Sequence, residues 1–289
     1  LRAPDYRLRI KERFGLGVPA MRGGLWVHAV SVGETLAAVP LVEAWRKAHP
    51  DQSVFVSTMT PTGSARVRAA WGDQVWHSYA PYDLPWAWAL FFRRVKPRVL
   101  VIMETELWPN MIHAAHQRHI PVVLANARLS ERSAKGYAKA AWLSRPMLAA
   151  LSDIAAQDQG TATRFQSLGV SAERISVTGS LKFDIAPPVD IDKRAAELSR
   201  EWQLEGRPVL VAASTHAGED ELVLSAFAEI RQHYAQALLI LVPRHPERFD
   251  HVAALIKQKG FVLARRGHGE SVSGQTQVLL GDTMGELMQ

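Results

Sequence analysis

A carboxylate that could act as a base stands at the start of the first long helical pattern. We predict a strand over residues 25–30, a turn over residues 31–34 (Ser-Val-Gly-Glu) and a helix over residues 35–47. A carboxylate such as Glu34, held at the end of a strand, can take a proton from a hydroxyl group. The same position suits a glutamate that only caps the helix, because the helix dipole and free N–H groups favour its charge. On spacing alone, the capping role is the simpler interpretation.

Two further carboxylates, Glu104 and Glu106, follow the apolar segment 99–103, which we predict to be a buried strand. Carboxylates next to a buried strand are costly unless they are paired or functional. Residues two apart in an extended segment share a face, so both could point at one ligand. One of them could instead cap the next helix, which we predict to start near Pro109. The spacing leaves both interpretations open.

Cationic and hydroxyl side chains lie in three other segments, one just before a predicted linker and two after predicted strands. Lys182 lies in the segment 178–184 and could neutralise a phosphate or a developing negative charge, although taken alone it reads more simply as a surface lysine. Two more groups follow the strands 209–213 and 238–242. These are Ser214, Thr215 and His216, and then residues 243–248 (Pro-Arg-His-Pro-Glu-Arg). Arginine with adjacent backbone donors suits a phosphate oxygen.

Several familiar site types are missing from the sequence. It has no Walker A loop, no GxGxxG, no GxSxG elbow and no HExxH. His113, His116 and His119 lie close together, but no matching carboxylates complete a metal site. We therefore interpret them as surface histidines.

Charge and composition narrow the classes of partner. The 289 residues include no cysteine, which excludes disulfides and thiolate chemistry. The net charge is +6, and residues 1–22 hold six basic residues against two acidic ones. This basic edge suits a membrane surface, a phosphorylated lipid or nucleic acid, and equally a solvated helix. No apolar run approaches the ~20 residues that span a bilayer.

The elements that must position these groups alternate between strand and helix. After the units above come a strand over residues 54–57, a helix from Ser64, a unit from Val75 through residues 81–85, and a strand over 121–125. Such alternation predicts an α/β fold with a parallel sheet covered on both faces. The segment 186–190 (Ala-Pro-Pro-Val-Asp) reads as a linker, after which the alternation restarts with the strand 209–213 and a helix from Glu219. We predict two Rossmann-like domains, 1–185 and an incomplete 191–289, facing a cleft, with ligands at the carboxyl ends of the strands.

Eight short motifs contain these groups and occur in one order. They are SVGET (31–35), TMTPTG (58–63), PYDLP (81–85), METELWPN (103–110), ANARLS (125–130), GSLKFD (179–184), PRHPER (243–248) and GDTMGEL (281–287). In this order they resemble the 3-deoxy-D-manno-octulosonic acid (Kdo) transferases of lipopolysaccharide synthesis. The resemblance runs from Arg9 to Gln289.

This resemblance implies a GT-B fold, with the lipid A precursor (lipid IVA) on the first domain and the donor CMP-Kdo on the second. It implies that Glu34 is the general base and that Glu104 and Lys182 stabilise the transition state. The donor-binding residues that it implies are Pro243, Arg244, Met284, Gly285 and Glu286, with further expected contacts from Ser180, Ser214, Thr215 and His216. It also implies inversion at the anomeric carbon, no metal or other cofactor, and no nucleic-acid partner.

The family resemblance further places the protein at the cytoplasmic face of the bacterial inner membrane. We expect the basic face from Arg7 to Arg13 to meet the leaflet or the lipid phosphates. Family members carry an apolar anchor before the position of Leu1 and a Gly-Gly-His-Asn motif after that of Gln289. Neither lies in this sequence, so we expect the 289-residue chain alone to be inactive.

Two alternatives remain open. One is another GT-B sugar-nucleotide enzyme, such as an epimerase with a UDP or ADP donor. The other is a non-catalytic basic module that binds a membrane surface or nucleic acid, whose binding would depend on salt and not on Glu34.

Overall fold

The computed structural model describes residue 6, residues 8–184 and residues 191–283. The chain divides into two compact units, Leu1–Ile185 and Ala186–Gln289. The predicted linker, residues 186–190, lies outside the described residues.

The first unit is built on a parallel sheet. Its strands are β1 (Met21–Arg22), β2 (Leu25–His28), β3 (Val54–Thr58), β4 (Trp76–Tyr79), β5 (Val95–Lys96), β6 (Val99–Met103), β7 (Val122–Ala127), β8 (Asp153–Ala156) and β9 (Ile175–Val177). Seven of them form one sheet in the order β4-β3-β2-β6-β7-β8-β9, and β1 pairs with β5. Every pairing is parallel, which confirms the predicted α/β class.

Helices cover both faces of this sheet. They are α1 (Val32–Ala48), α2 (Pro61–Trp71), α3 (Pro85–Arg94), α4 (Pro109–His116), α5 (Glu131–Lys139), α6 (Ala141–Ala149) and α7 (Gln159–Ser167). Short 3-10 helices lie at Ile10–Phe14, Gly72–Gln74, Ala172–Arg174 and Leu181–Asp184. Successive strand residues point to opposite faces, so Trp26 joins one core cluster while Leu25 and Val27 join the other. Burial on both faces explains the near-continuous apolar strands.

The second unit repeats the pattern on a smaller scale. Its helices are α8 (Ile191–Glu201), α9 (Glu219–His233) and α10 (Phe249–Gln258), and its strands are β10 (Val209–Thr215), β11 (Leu238–Pro243), β12 (Leu263–Arg265) and β13 (Val278–Leu280). The strands form a parallel sheet in the order β10-β11-β13-β12. Leu239, Leu241 and Val278 lie in its main core with Phe227 of α9.

The basic N-terminal segment is not the freely solvated face that its charge suggests. Arg13 is buried, where it donates to the carbonyl oxygen of Met59 at 3.0 Å and lies over the Tyr79 ring at 4.3 Å. Arg9 pairs with Glu12 at 2.8 Å. Arg9 also donates to the carbonyl oxygen of His77, in β4, at 3.3 Å. The expected basic face from Arg7 to Arg13 is therefore wrong at Arg13, which is buried against Met59 and Tyr79. Lys11 is exposed, and Arg7 lies outside the described residues.

Among the described residues, no helix combines the length and apolar character needed to cross a membrane.

Candidate functional site

The carboxyl ends of β2 and β6 form the point where the strand order of the larger sheet reverses. From β2 the chain moves outward to β3 and β4, then returns to place β6 on the other side of β2. Loops that leave two such neighbours diverge, and ligands of open α/β sheets bind in the crevice between them. Glu34 follows β2, and Glu104 and Glu106 follow β6. The topology therefore brings all three carboxylates to one end of the sheet.

Glu34 lies in the first turn of α1 and is tightly held. The side chain of Ser31, the N-cap, accepts the N–H of Glu34 at 3.3 Å and donates to Glu34 Oε1 at 2.9 Å. The N–H of Val30 donates to Glu34 Oε2 at 2.8 Å. The residue is only 7% exposed. The predicted turn over residues 31–34 is wrong, because this reciprocal cap makes Val32 the first helical residue.

Burial raises the pKa of Glu34 from 4.5 to about 7. Its hydrogen bonds from Val30 and Ser31 lower the pKa, and the negative charges of Glu106 and Glu104 raise it further. The raised value means that burial outweighs the two hydrogen bonds. A carboxylate with this pKa is largely ionised slightly above neutral pH and is a stronger proton acceptor than an ordinary glutamate.

Glu104 faces a cation from a distant part of the chain. Its Oε1 lies 3.4 Å from Lys182 Nζ, and Lys182 belongs to the 3-10 helix Leu181–Asp184. Glu104 has a left-handed backbone with φ of 56°, which is uncommon for a residue other than glycine. The Lys182 side chain is 52% exposed, so its ammonium group can reach a second anion. Ser180 Oγ accepts the N–H of Lys182 at 3.4 Å.

Glu106 is held separately. Its Oε2 accepts the indole N–H of Trp108 at 3.0 Å, and the Trp108 ring packs edge-on against His28 with centroids 4.8 Å apart. Residues 104 and 105 form a turn rather than extended backbone. The premise that Glu104 and Glu106 share one face is therefore wrong, although the charges of both act on Glu34.

One residue at this edge has no role in the sequence analysis, although it lies in one of the eight motifs. Asn126, at the end of β7, is buried and has a left-handed φ of 53°. Its Oδ1 accepts the N–H of Leu181 at 3.1 Å, and its carbonyl oxygen accepts Gln157 Nε2 at 2.9 Å. The available signal was asparagine itself, which tolerates left-handed backbone better than most residues.

In the second unit, the polar residues at the ends of β10 and β11 meet. Both strands run further than predicted, because pairing continues to Thr215 and Pro243. Ser214 has a left-handed φ of 60°, and Thr215 pairs with Pro243 in the sheet. The N–H of Arg244 donates to the carbonyl oxygen of Thr215 at 3.0 Å. The rings of His216 and His245 lie 5.8 Å apart.

A buried ion pair that no local sequence pattern indicates fixes these two loops. Asp220 is 1% exposed, accepts Thr215 Oγ1 at 2.6 Å and pairs with Arg248. Arg248 also donates to the carbonyl oxygen of Thr215 at 2.8 Å. The loops are therefore rigid where they present the exposed side chain of Arg244. Met284, Gly285 and Glu286 lie outside the described residues.

Within the part of the chain that the structure describes, no group of three or more His, Cys, Asp or Glu side chains could hold a metal ion. His113, His116 and His119 are exposed, as expected for surface histidines. The prediction that the protein uses no cofactor stays a prediction, as does the predicted cleft between the domains.

Comparison with known proteins gives concordant matches. A sequence profile of the family described as 3-Deoxy-D-manno-octulosonic-acid transferase (kdotransferase) matches residues 8–185. A 3-deoxy-D-manno-octulosonic acid transferase of Haemophilus influenzae is 44% identical over 100% of this chain and 68% of its own length. One of Bordetella pertussis is 38% identical over 95% of this chain and 65% of its own length. The chain thus spans about two thirds of the length of these curated relatives.

Among solved structures, UDP-GlcNAc 2-epimerase from Neisseria meningitidis, bound to UDP-GlcNAc, matches with a TM-score of 0.62. The match has 14% identity and covers 92% of this chain and 73% of that one. At this identity the likeness shows the fold alone. It agrees with the two-unit α/β class predicted as GT-B.

Proposed function

The chain belongs to the 3-deoxy-D-manno-octulosonic acid (Kdo) transferase family, and we propose that the protein transfers Kdo from CMP-Kdo to a primary hydroxyl of a lipid A precursor, lipid IVA. The observation that carries this proposal is Glu34. It is a buried carboxylate with a pKa of about 7, at the switch point of a parallel sheet and near two more carboxylates. That is a suitable place and protonation state for deprotonating an acceptor hydroxyl near neutral pH.

In the proposed reaction, Glu34 accepts the hydroxyl proton while the acceptor oxygen bonds to the anomeric carbon of Kdo. The bond from that carbon to the phosphate oxygen breaks, and CMP leaves with the electron pair. Attack from the face opposite the leaving group inverts the anomeric carbon. The bonds from Val30 and Ser31 fix both carboxylate oxygens of Glu34, so that the base is positioned before the acceptor arrives.

The Glu104–Lys182 pair supplies opposite charges at the same end of the sheet. We assign Glu104 to balance positive charge that develops at the anomeric carbon. We assign Lys182 to balance the Kdo carboxylate or the departing phosphate. The half-exposed ammonium group of Lys182 supports this assignment, because it can contact a second anion without leaving Glu104.

We assign most of the donor contacts to residues of the second unit, together with Ser180 of the first. Arg244 is exposed beside loops that the Asp220–Arg248 pair fixes, and arginine suits a phosphate oxygen. The other proposed donor contacts are Pro243, Ser180, Ser214, Thr215, His216, Met284, Gly285 and Glu286. The donor carries a single phosphate, so lysine and arginine can balance its charge, and the proposed reaction uses no metal.

The proposed location is the cytoplasmic face of the bacterial inner membrane. Around the 3-10 helix Ile10–Phe14, large apolar side chains are exposed beside Lys11. These side chains are Tyr6, Leu8, Ile10, Leu16 and Trp86. Aromatic and apolar groups next to a cation suit the boundary of an anionic leaflet.

The deciding experiment measures Kdo transfer from CMP-Kdo to lipid IVA by the full-length protein and by its Glu34→Gln variant. We expect transfer by the parent and a loss of about 10²–10⁴-fold in the variant, the usual effect of removing a general base. Glu131→Gln changes an exposed glutamate in the first turn of α5 and should leave the rate unchanged. Equal activity in parent and Glu34→Gln would remove Glu34 as the base. No transfer by the parent would refute the proposed function.

A further inference from the structure

Strand β7, which contains Asn126, departs from regular pairing at this residue. Between β7 and β8 the register shifts between Leu124 and Ala127, as in a β-bulge, and the left-handed Asn126 lies within the shift. A bulge redirects the side chain that it carries and is common beside functional sites. Here the redirected side chain is an amide that is 1% exposed.

The contacts of Asn126 tie three segments together. Its Oδ1 accepts the N–H of Leu181 at 3.1 Å, and its carbonyl oxygen accepts Gln157 Nε2 at 2.9 Å, after the end of β8. Its Nδ2 is buried and has no hydrogen-bond partner among the described residues. The buried amide therefore uses its oxygen but not its N–H donors. An apolar side chain would pack here without that cost, so the amide calls for an explanation.

The residue after the neighbouring strand β6 has the same left-handed backbone, and it carries the carboxylate of the Glu104–Lys182 ion pair. Glu104, after β6, is also left-handed, and its N–H donates to the carbonyl oxygen of Ala125 at 3.0 Å. Two left-handed residues other than glycine thus stand at adjoining strand ends. One carries the carboxylate of the pair, and the other binds the segment that carries the ammonium group. Backbone strain of this kind concentrates at functional sites.

Among the described residues, the 3-10 helix Leu181–Asp184, which carries Lys182, contacts α1 and the end of β7. Phe183, next to Lys182, is 89% exposed. The side chain of Leu181 packs against the core cluster on the α1 face, which fixes the depth of the segment. The Leu181 N–H donates a hydrogen bond to Asn126 Oδ1 at the end of β7. This bond fixes the orientation of the segment relative to the sheet.

We propose that Asn126 is a positioning residue, which holds the 3-10 helix Leu181–Asp184 so that Lys182 faces Glu104. The predicted effect of Asn126 on catalysis rests on the proposed function. Its predicted effect on the position of Lys182 does not. Loss of the Asn126 oxygen should free the Leu181 N–H, let the segment turn and take the Lys182 ammonium group away from Glu104. Lys182 would then no longer balance negative charge in the reaction.

The structural consequence is tested without substrate. In the full-length protein, acetylation of lysines by N-hydroxysuccinimidyl acetate is followed by mass spectrometry, with the exposed Lys47 of α1 as internal reference. In Asn126→Gly, which tolerates left-handed backbone but lacks the acceptor, the relative labelling rate of Lys182 should rise severalfold. Gln203→Gly is the matched control, because Gln203 has the same φ of 53° in the second unit. An unchanged Lys182 rate in Asn126→Gly would overturn the proposal.

The kinetic consequence is tested by a double-mutant cycle with Lys182→Ala. We expect Asn126→Gly to lower kcat between about ten- and a hundredfold when Lys182 is present, as for a misplaced catalytic group. It should lower kcat no further when Lys182 is alanine, because Asn126 acts through that side chain. Independent, multiplying losses would overturn the proposal.

A conservative variant guards against a folding defect. Asn126→Asp keeps the accepting oxygen and the tolerance for left-handed backbone, and should restore most of the rate. If Asn126→Gly fails to fold by circular dichroism, Asn126→Asp carries the test, and a tenfold loss or more in a folded protein contradicts the proposal. Labelling changes without Kdo transfer by the parent would refute the proposed function and support the role of Asn126.

Discussion

Glu34→Gln should make the first unit more stable above neutral pH, even though it removes the proposed base. The carboxylate is 7% exposed, and burial raises its pKa to about 7. The ionised form of Glu34 therefore lowers the stability of the folded state. An amide of the same shape removes the charge and keeps most of the packing.

The magnitude follows from the shift. Raising the pKa from 4.5 to about 7 disfavours the charged form by about 3 kcal/mol, at 1.36 kcal/mol for each pKa unit. The pKa of Glu34 is higher in the folded state than in the unfolded state, so protonated Glu34 stabilises the fold relative to ionised Glu34. This stabilising contribution is fully present below pH 4.5 and is lost as the pH rises through about 7. The glutamine amide cannot accept both hydrogen bonds from Val30 and Ser31. This loss lowers the stability of the variant by about 1 kcal/mol at every pH. Relative to the parent, the variant should gain about 3 kcal/mol across this window and end about 2 kcal/mol more stable.

The assay is urea unfolding of parent and variant at several pH values, followed by tryptophan fluorescence. Eight of the nine tryptophans lie in the first unit, so the signal reports mainly on the unit that holds Glu34. Taking the difference between the two proteins cancels the titrating groups that do not interact with Glu34. Glu131→Gln, an exposed first-turn glutamate, should track the parent at all pH values. A stability difference that does not change with pH would refute the assignment of a buried, raised-pKa carboxylate to Glu34.

Three further predictions test other parts of the site. The kcat/KM of the full-length enzyme should rise with pH through an apparent pKa near 7, since the ionised Glu34 accepts the proton; a profile flat around neutral pH would contradict this. Arg248→Met should lower the stability of the second unit by about 3 kcal/mol in calorimetry, because it leaves the Asp220 charge buried, and adding Asp220→Leu should restore part of the loss. Arg244→Ala should weaken CMP binding about tenfold or more in calorimetric titration while binding of cytidine, which lacks the phosphate, stays equal.

Local sequence signals predict the presence and type of each element better than the residue at which each helix begins. The strand predicted at residues 99–103 is β6 without change, because its apolar run has sharp ends. The helix predicted from Ser64 begins instead at Pro61, and the one predicted from residue 35 begins at Val32. In both cases a hydroxyl side chain is the N-cap and starts the helix before the predicted residue. Thr60 and Ser31 each accept an N–H three residues on, and the glycines that resemble turn residues, Gly33 and Gly63, lie in the first turn of the helices.

The site itself was predictable in composition but not in geometry. Strand order brings Glu34 and Glu104 to one edge, and the eight motifs point to both of them. The left-handed Asn126 and the turn at Glu104 arise from pairing with neighbouring strands, which no local window contains. The Asp220–Arg248 pair likewise joins elements 28 residues apart. Such contacts are properties of the folded sheet, and a periodicity argument does not reach them.

The two interpretations of Glu34, cap and base, are separated by the sign of its pKa shift. A glutamate that only caps a helix sits near free N–H groups and the positive end of the dipole, and both lower its pKa. The dipole favours the charged form by about 0.3–1 kcal/mol. Glu34 does cap α1, and the bonds from Val30 and Ser31 do act in that direction. Burial exceeds them, and the charges of Glu106 and Glu104 add to it, so the pKa moves up instead of down. A cap alone gains nothing from being buried beside two like charges. That arrangement costs stability and yields a proton acceptor matched to neutral pH, which favours the base over the cap.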